Sequence, residues 1–285
     1  MQKNTPQQAT EERPRAGKEQ NLSNMKTMNY NKLQALEANT AAIATAYQVR
    51  NEKRTATAAE RETLSLYSGF GGIKEVLDLG TNKPMPEKMK QALDHLVRIL
   101  QSVAQGDETL YRKLVDSIKA SVLTAFYTPK ILIEAVADQI QATFQSHGLP
   151  MKSFLEPSAG IGGFLPVAMP DTCKAAFEKD LATGLVLSAL YPDAKTVING
   201  FETIDTQELE NDKFDVIASN IPFGTINVFD ADFERRGTPY KQSLKAIHNY
   251  FFIKAMELLS EGGLLAFVTS RGVADSPSNR FVRDY

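Results

Sequence analysis

The chain has 285 residues, 42% of them hydrophobic, a formal charge of −2 and a pI near 6.0. That is room for a sizeable core, and it excludes a whole-surface attraction to phosphate, leaving nucleic-acid contact to local basic patches or a partner. The polar N-terminus and the lack of any apolar run near the ~18 residues of a membrane helix predict a cytoplasmic protein without membrane contact. The single cysteine, Cys173, excludes an internal disulfide, and its apolar strand-like setting predicts a buried thiol. His95, His147 and His248 are scattered and lack cysteine neighbours, so no metal site is expected.

From Met1 to about Thr27 the chain is rich in Gln, Asn, Lys, Glu, Thr and Pro and predicts a disordered tail. Tyr30 to Arg61 is Ala-rich and helix-permissive but poor in large apolar anchors, so residues 1–61 are expected to be disordered or weakly helical, with any helix weakly docked. The stretch "LSLYSGFGGIKEVLDL" (64–79) places Gly69, Gly71 and Gly72 at a sharp turn before a short helix. With no preceding strand and no following Lys-Ser/Thr, this reads as a structural turn, not a phosphate cradle. Met89, Leu93, Leu96, Val97 and Leu100, then Leu110 to Ile118, fall at helical spacing and make residues 62–120 a helical unit.

Past residue 121 the pattern alternates. Ile131 to Phe144 predicts a helix, and "KSFLEPSAGIGGF" a strand running into a glycine loop. "KAAFEKD", "KTVINGFE", "FDVIASN" and "LLAFVTS" predict four further strands, with helices over 181–190 and 246–259, the latter stopped by Gly262 and Gly263. The expected fold is α/β, a mostly parallel sheet covered on both faces, which binds ligands beyond the carboxyl ends of its strands. Glu156 to Phe164, Glu178, Gly200 to Glu202 and Asn220 to Phe223 then surround one crevice.

The residues of that crevice suggest a chemistry. Gly160, Gly162 and Gly163 let backbone approach a ligand, and a following helix would offer its N-terminal amides to an anionic group. A dinucleotide fingerprint wants glycine where Leu165 stands. Glu178, at a strand end, can accept both hydroxyls of a ribose, which suits an adenosine ligand. "SNIPFG" goes further. An amino group conjugated to a ring or carbonyl is planar and weakly nucleophilic, and two acceptors on its hydrogens draw it toward pyramidal geometry. Asn220 would supply a side-chain oxygen and Ile221 a carbonyl, while Pro222 would fix the turn and Phe223 would stack on a flat target. Asn takes no proton, so the electrophile must be strong, as a sulfonium methyl group is.

These stretches, with "TAFYTP" upstream, resemble the ordered motifs of the amino-group DNA methyltransferases that modify adenine. "YSGFGGIKEVL", "SVLTAFYTPK", "IHNYFF" and "LLAFVTSRGVADS" resemble more closely the methylase part of large methylase and helicase proteins of conjugative elements and phages. The resemblance implies a Rossmann-like methyltransferase domain over 121–285 that uses S-adenosylmethionine, acts on N6 of adenine flipped out of DNA, and serves restriction-modification or a mobile element. It implies that Thr128 and the loop Glu156, Pro157, Ser158, Ala159, Gly160, Gly162 and Gly163 contact the methionine end of the cofactor, that Glu178 holds the ribose, and that Phe201 packs on the cofactor adenine. Asn220, Ile221, Pro222 and Phe223 hold the target base.

Ile221 departs from the family's usual Pro, and Gly200 stands where an acidic residue is common, passing adenine recognition to Asn199 or Glu202. Only fifteen residues follow Ser270, so the sheet is expected to be C-terminally incomplete and completed by further chain or a partner. The same motif also fits methylation of a protein glutamine amide, and an incomplete sheet fits a non-catalytic DNA- or partner-binding module. His248, in an aromatic helix, is expected to be a satisfied buried side chain. Arg235, Arg236, Lys241 and Lys245 are expected on a solvated loop that could face phosphates.

Overall fold

A computed structural model of the chain describes residues 31–81, 83–122, 128–204 and 213–285. The expected tail before Asn31 and most of the "TAFYTP" stretch lie outside the described residues. Helix α1 (Lys32–Asn51) starts at Asn31, whose side-chain oxygen accepts the Leu33 and Gln34 amides. Weak docking is overturned for this helix: Leu36, Ile43, Ala42 and Ala46 are completely buried, together with Asn39. Small residues take the place of large ones here by letting neighbouring backbones come close. Asn39 fixes the glycine turn, donating to the Gly69 carbonyl at 2.6 Å and accepting the Ser68 amide at 2.8 Å. Gly69 and Gly72 take φ of +67° and +77°, so the glycines serve a structural turn.

Helix α2 (Ala58–Ser65) begins with a reciprocal cap between Thr57 and Glu60. α3 (Glu87–Ala104) and α4 (Glu108–Ser121) bury apolar stripes at the expected spacing, and α5 (Lys130–His147) ends at Gly148 in the left-handed conformation. There follow β1 (Ser153–Glu156), β2 (Cys173–Phe177), α6 (Leu181–Leu190), β3 (Ala194–Val197), β4 (Phe214–Asn220), α7 (Ala231–Arg235), α8 (Tyr240–Ser243), α9 (Ile247–Glu257), β5 (Leu259–Val268), α10 (Gly272–Asp275) and α11 (Arg280–Arg283).

The five strands form one parallel sheet in the order β3-β2-β1-β4-β5. Order reverses between β1 and β4, which pair Phe154 with Val216 and Leu155 with Ile217. Side-chain alternation divides the faces: Phe154, Val216 and Ala218 pack toward α5, while Leu155 and Ile217 pack toward α9. A third apolar cluster joins α1, α3 and α4 to α6 through Leu185 and Val186. Tyr67 and Thr183 bond through their hydroxyls at 2.9 Å inside this layer.

Two further expectations fail. Cys173 is exposed, because it is the first residue of a five-residue strand, outside the covered part of the sheet. Gly262 and Gly263 do not stop α9, which ends at Glu257, and instead lie within β5. There the β4–β5 register shifts between Phe214 and Val216, and a Cβ at Gly263 would lie 3.1 Å from the Asp215 carbonyl and 3.0 Å from that of Ser260. The glycine permits a bulge.

Candidate active site at the strand ends

Glu156 closes β1 and is 1% exposed. Its Oε1 accepts the Phe164 amide at 3.0 Å, while Oε2 is buried with no partner among the described residues. Burial holds this carboxyl well above the usual carboxylate range. The loop it wraps is stapled to both neighbouring strands: the Ala159 amide donates to the Phe177 carbonyl of β2, and Ser219 Oγ of β4 donates to the Ser158 carbonyl, both at 2.9 Å. Gly160 has φ of +55° and donates its amide to Glu178 Oε2 at 2.7 Å. Gly162, at φ +81°, leaves no room for a side chain, since a Cβ would stand 2.7 to 2.9 Å from Tyr191, Leu187 and Leu165. A Cβ at Gly163 would approach Ile133 of α5 at 3.3 Å.

The expected helix after this loop is a three-residue 3-10 turn, Leu165–Val167, with Pro166 inside it. No helix N-terminus is available for an anion, and the Phe164 amide that would have served one is held by Glu156.

Glu178 follows β2 and accepts two backbone amides, from Gly160 and from Asp180 at 2.6 Å. Burial pushes its pKa up to about 7; the Asp180 charge adds to this and the amides oppose it. A carboxylate has about four lone-pair positions, so these bonds leave acceptor capacity for ligand hydroxyls. Asp180 caps α6 through the Thr183 amide and takes the Ser117 hydroxyl from α4, connecting the helical layer to the residue next but one to Glu178.

Beyond β3, Asn199 accepts the Gly200 amide at 2.9 Å and Glu202 pairs with Lys179 at 3.2 Å. Phe201 does not join the crevice. Its ring is 2% exposed, 5.1 Å from Phe251, 5.9 Å from Phe177 and 6.5 Å from Tyr250, so it is a core aromatic without an open face.

Asn220 is the last residue of β4 and lies half-buried opposite Val268. Ile221 donates its amide to the Val268 carbonyl at 3.1 Å and buries its side chain, which continues the sheet one residue past Asn220. The chain then turns outward: Pro222 is half-buried and Phe223 is 52% exposed. Gly224, at φ +126°, donates its amide to Nδ1 of His248 at 3.3 Å, so His248 is buried and satisfied. Thr128 is half-buried and precedes α5, whose Ile133 touches the glycine loop.

A buried ion pair escaped sequence reasoning. Asp230 Oδ1 accepts the Asp232 and Phe233 amides, and its Oδ2 accepts Lys254 Nζ at 2.9 Å and the Tyr250 hydroxyl at 2.7 Å, with the charged side chains 5% and 3% exposed. The signal was Lys254 within the aromatic run of α9, a cation that demands a counter-ion. The basic segment is likewise no open loop but carries α7 and α8. Arg236 binds Glu257 and Asp232 and lies 3.5 Å over the Tyr240 ring, while Lys241 pairs with Glu234 at 2.7 Å. Among the described residues no group of acidic, His or Cys side chains could hold a metal, and no helix is long and apolar enough to cross a membrane.

Comparison with known proteins agrees with this architecture. A solved structure from Listeria monocytogenes, described as a class I S-adenosylmethionine-dependent methyltransferase, shares the fold: TM-score 0.50 and 16% identity, covering 89% of this chain and 78% of that one. A type I restriction-modification methyltransferase subunit from Streptococcus thermophilus matches with TM-score 0.44 and 14% identity, covering 92% of this chain and 74% of that one. In sequence, the chain is 24% identical over 219 residues to defense against restriction protein B of Escherichia phage P1. That match covers 74% of this chain and 9% of the phage protein. The family model for the Eco57I restriction-modification methylase matches residues 174–285. The matched stretch includes Glu178, Asn220 and Phe223.

Proposed function

We propose that this chain transfers the methyl group of S-adenosylmethionine to the exocyclic amine of adenine in DNA. The observation that carries the reading is the end of β4: a half-buried Asn220, the sheet-bound Ile221 and an open Phe223 ring at the point where strand order reverses. The residues present fit the cofactor. Glu156 keeps a buried oxygen without a partner among the described residues, suited to an ammonium group; the glycine loop brings backbone close; and Glu178 retains acceptor capacity for ribose hydroxyls. Thr128 and Pro157 to Gly163 complete the wall on this reading. Bound there, the cofactor supplies a methyl group on a cationic sulfur.

The protein's part is to hold and polarise the target. The Asn220 side-chain oxygen and the Ile221 carbonyl accept the two amine hydrogens, drawing nitrogen toward pyramidal geometry, and Phe223 stacks on the base after it leaves the duplex. Neither acceptor takes a proton, so the amine sheds one to water after the new bond forms. DNA is then the partner, the cytoplasm the location, and protection of a mobile element's DNA the use, in keeping with the name of the phage relative.

The test is transfer of labelled methyl groups to double-stranded DNA and to protein fractions, followed by digestion to nucleosides. Label in N6-methyladenine, lost by a factor of about 10³ or more in Asn220→Ala with cofactor affinity by calorimetry unchanged, supports the reading. Label in protein glutamine, or an active Asn220→Ala, rejects it. A folded chain that binds DNA but never the cofactor makes it a non-catalytic module.

A further inference from the structure

The "IHNYFF" stretch of α9 has no role in the proposed transfer, yet its residues hold the loop that carries Phe223. We propose that His248 is a positioning residue for the target half of the site: its Nδ1 holds the Gly224 amide and thereby fixes the Phe223 ring beside Asn220. The inference rests on the reading of Phe223 as the stacking residue.

Beyond the Ile221–Val268 bond, the loop from Pro222 to Asp230 is pinned at separate points on residues 244–254. Gly224 bonds to His248, the Val228 amide donates to the Leu244 carbonyl at 2.9 Å, and Asp230 is locked by Tyr250 and Lys254. Between the pins Phe223 and Ile226, each 52% exposed, and Phe229, 83% exposed, have little packing of their own to set their positions. The φ of Gly224, +126°, is one that side-chain-bearing residues rarely adopt, although a Cβ added there would stand 3.9 Å from its nearest neighbour, Ile226 Cγ1. Glycine stands there for backbone conformation, not for space, at the residue whose amide meets the imidazole.

For Nδ1 to accept, it must carry no proton, which puts the neutral ring's hydrogen on Nε2. Burial lowers the proton affinity of His248 and so favours this acceptor form. The two ends of the loop therefore differ in strength. Asp230 is held by a buried ion pair and several hydrogen bonds, whereas Phe223 lies between the sheet-bound Ile221 and one neutral bond of 3.3 Å at Gly224. Loss of that bond leaves Phe223 anchored on the Ile221 side alone and leaves the rest of the loop in place.

The chain contains no tryptophan, so Phe223→Trp introduces a lone indole, excited selectively over the tyrosines, at the position in question. In that background His248→Leu and His248→Asn are compared. They are nearly isosteric, but only Asn places an acceptor where Nδ1 was. Steady-state anisotropy of the introduced indole is expected to fall by about a third or more in the Leu variant, through faster local motion, and to be restored by Asn, with melting temperature followed as the control for folding. Gly224→Ala leaves α9 untouched and should reproduce the Leu result. With Phe223 in place, His248→Leu should lower kcat for transfer to DNA about tenfold or more without a change in cofactor affinity, and Asn should recover most of that loss. Equal anisotropy in the Leu and Asn variants overturns the inference whether or not the chain methylates DNA. A split in anisotropy in a chain that transfers nothing to DNA rejects the adenine reading and supports the clamp.

Discussion

The loops that follow β1 and β4 lie side by side at the carboxyl edge of the sheet and are built in opposite ways. The β1 loop is folded inward. Glu156 and Glu178 collect its amides, Ser219 and Phe177 staple it to both neighbouring strands, and Gly162 fits against Leu165, Leu187 and Tyr191 with no space left. The β4 loop is fastened only at intervals and turns apolar rings to solvent. On the proposed function the difference has a meaning: a small cofactor meets a wall already formed, while a large substrate must bring the surface that covers Phe223.

The contrast is most exposed to failure at Phe201. If the ring belongs to the core, Phe201→Ala lowers stability by about 3–5 kcal/mol in urea unfolding; an unchanged midpoint with weakened cofactor binding would return the ring to the cofactor half. The same substitution in the two loops should then separate them. Gly162→Ala is expected to cost about 2–3 kcal/mol, through strain and displaced side chains, whereas Gly224→Ala should cost about 1 kcal/mol and act on transfer. Equal destabilisation would mean that both loops belong to the same rigid body. Phe223→Ala should lower transfer to DNA by about 5- to 150-fold, the worth of one base stacked on one ring, and leave cofactor affinity by calorimetry within about twofold.

The smallest expected effect is one of pH. On the proposed function, ribose hydroxyls would donate to the ionised Glu178, whose pKa burial pushes up to about 7. Since the protonated carboxyl loses acceptor capacity as pH falls through that value, cofactor affinity should weaken by about tenfold from pH 8 to pH 6. Glu178→Gln should bind weakly and without that dependence. A wild-type affinity flat across this range would take Glu178 out of the ribose contact.

Much of this could be read from sequence because the signals were periodic or chemical. Strands and helices alternated, apolar spacing marked α3 and α4, and Asn220 to Phe223 stood out as an amide, a ring and an aromatic at a strand end. What escaped depended on packing between distant segments. The docking of α1 uses Ala42, Ala46 and Asn39, which leave no large-residue stripe. Glu156 looked like a ligand residue, and nothing local showed that it would capture the Phe164 amide and forestall a helix N-terminus. The Gly262–Gly263 pair had two meanings, helix stop or bulge, and only the approach of the Asp215 carbonyl decides between them. Lys254 in an aromatic helix did announce a buried partner, but its identity, Asp230, came from the loop's return path.

Cys173, the chain's one thiol, is exposed at the start of β2, whereas the crevice lies beyond the opposite end of that strand. Its Cα stands roughly 13 Å from that of Phe177 along the sheet, far enough for a maleimide to react there without entering the crevice. The natural sequence thus supplies a single attachment point for a dye or a surface, and a molecule immobilised through it would present both strand-end loops to whatever flows past.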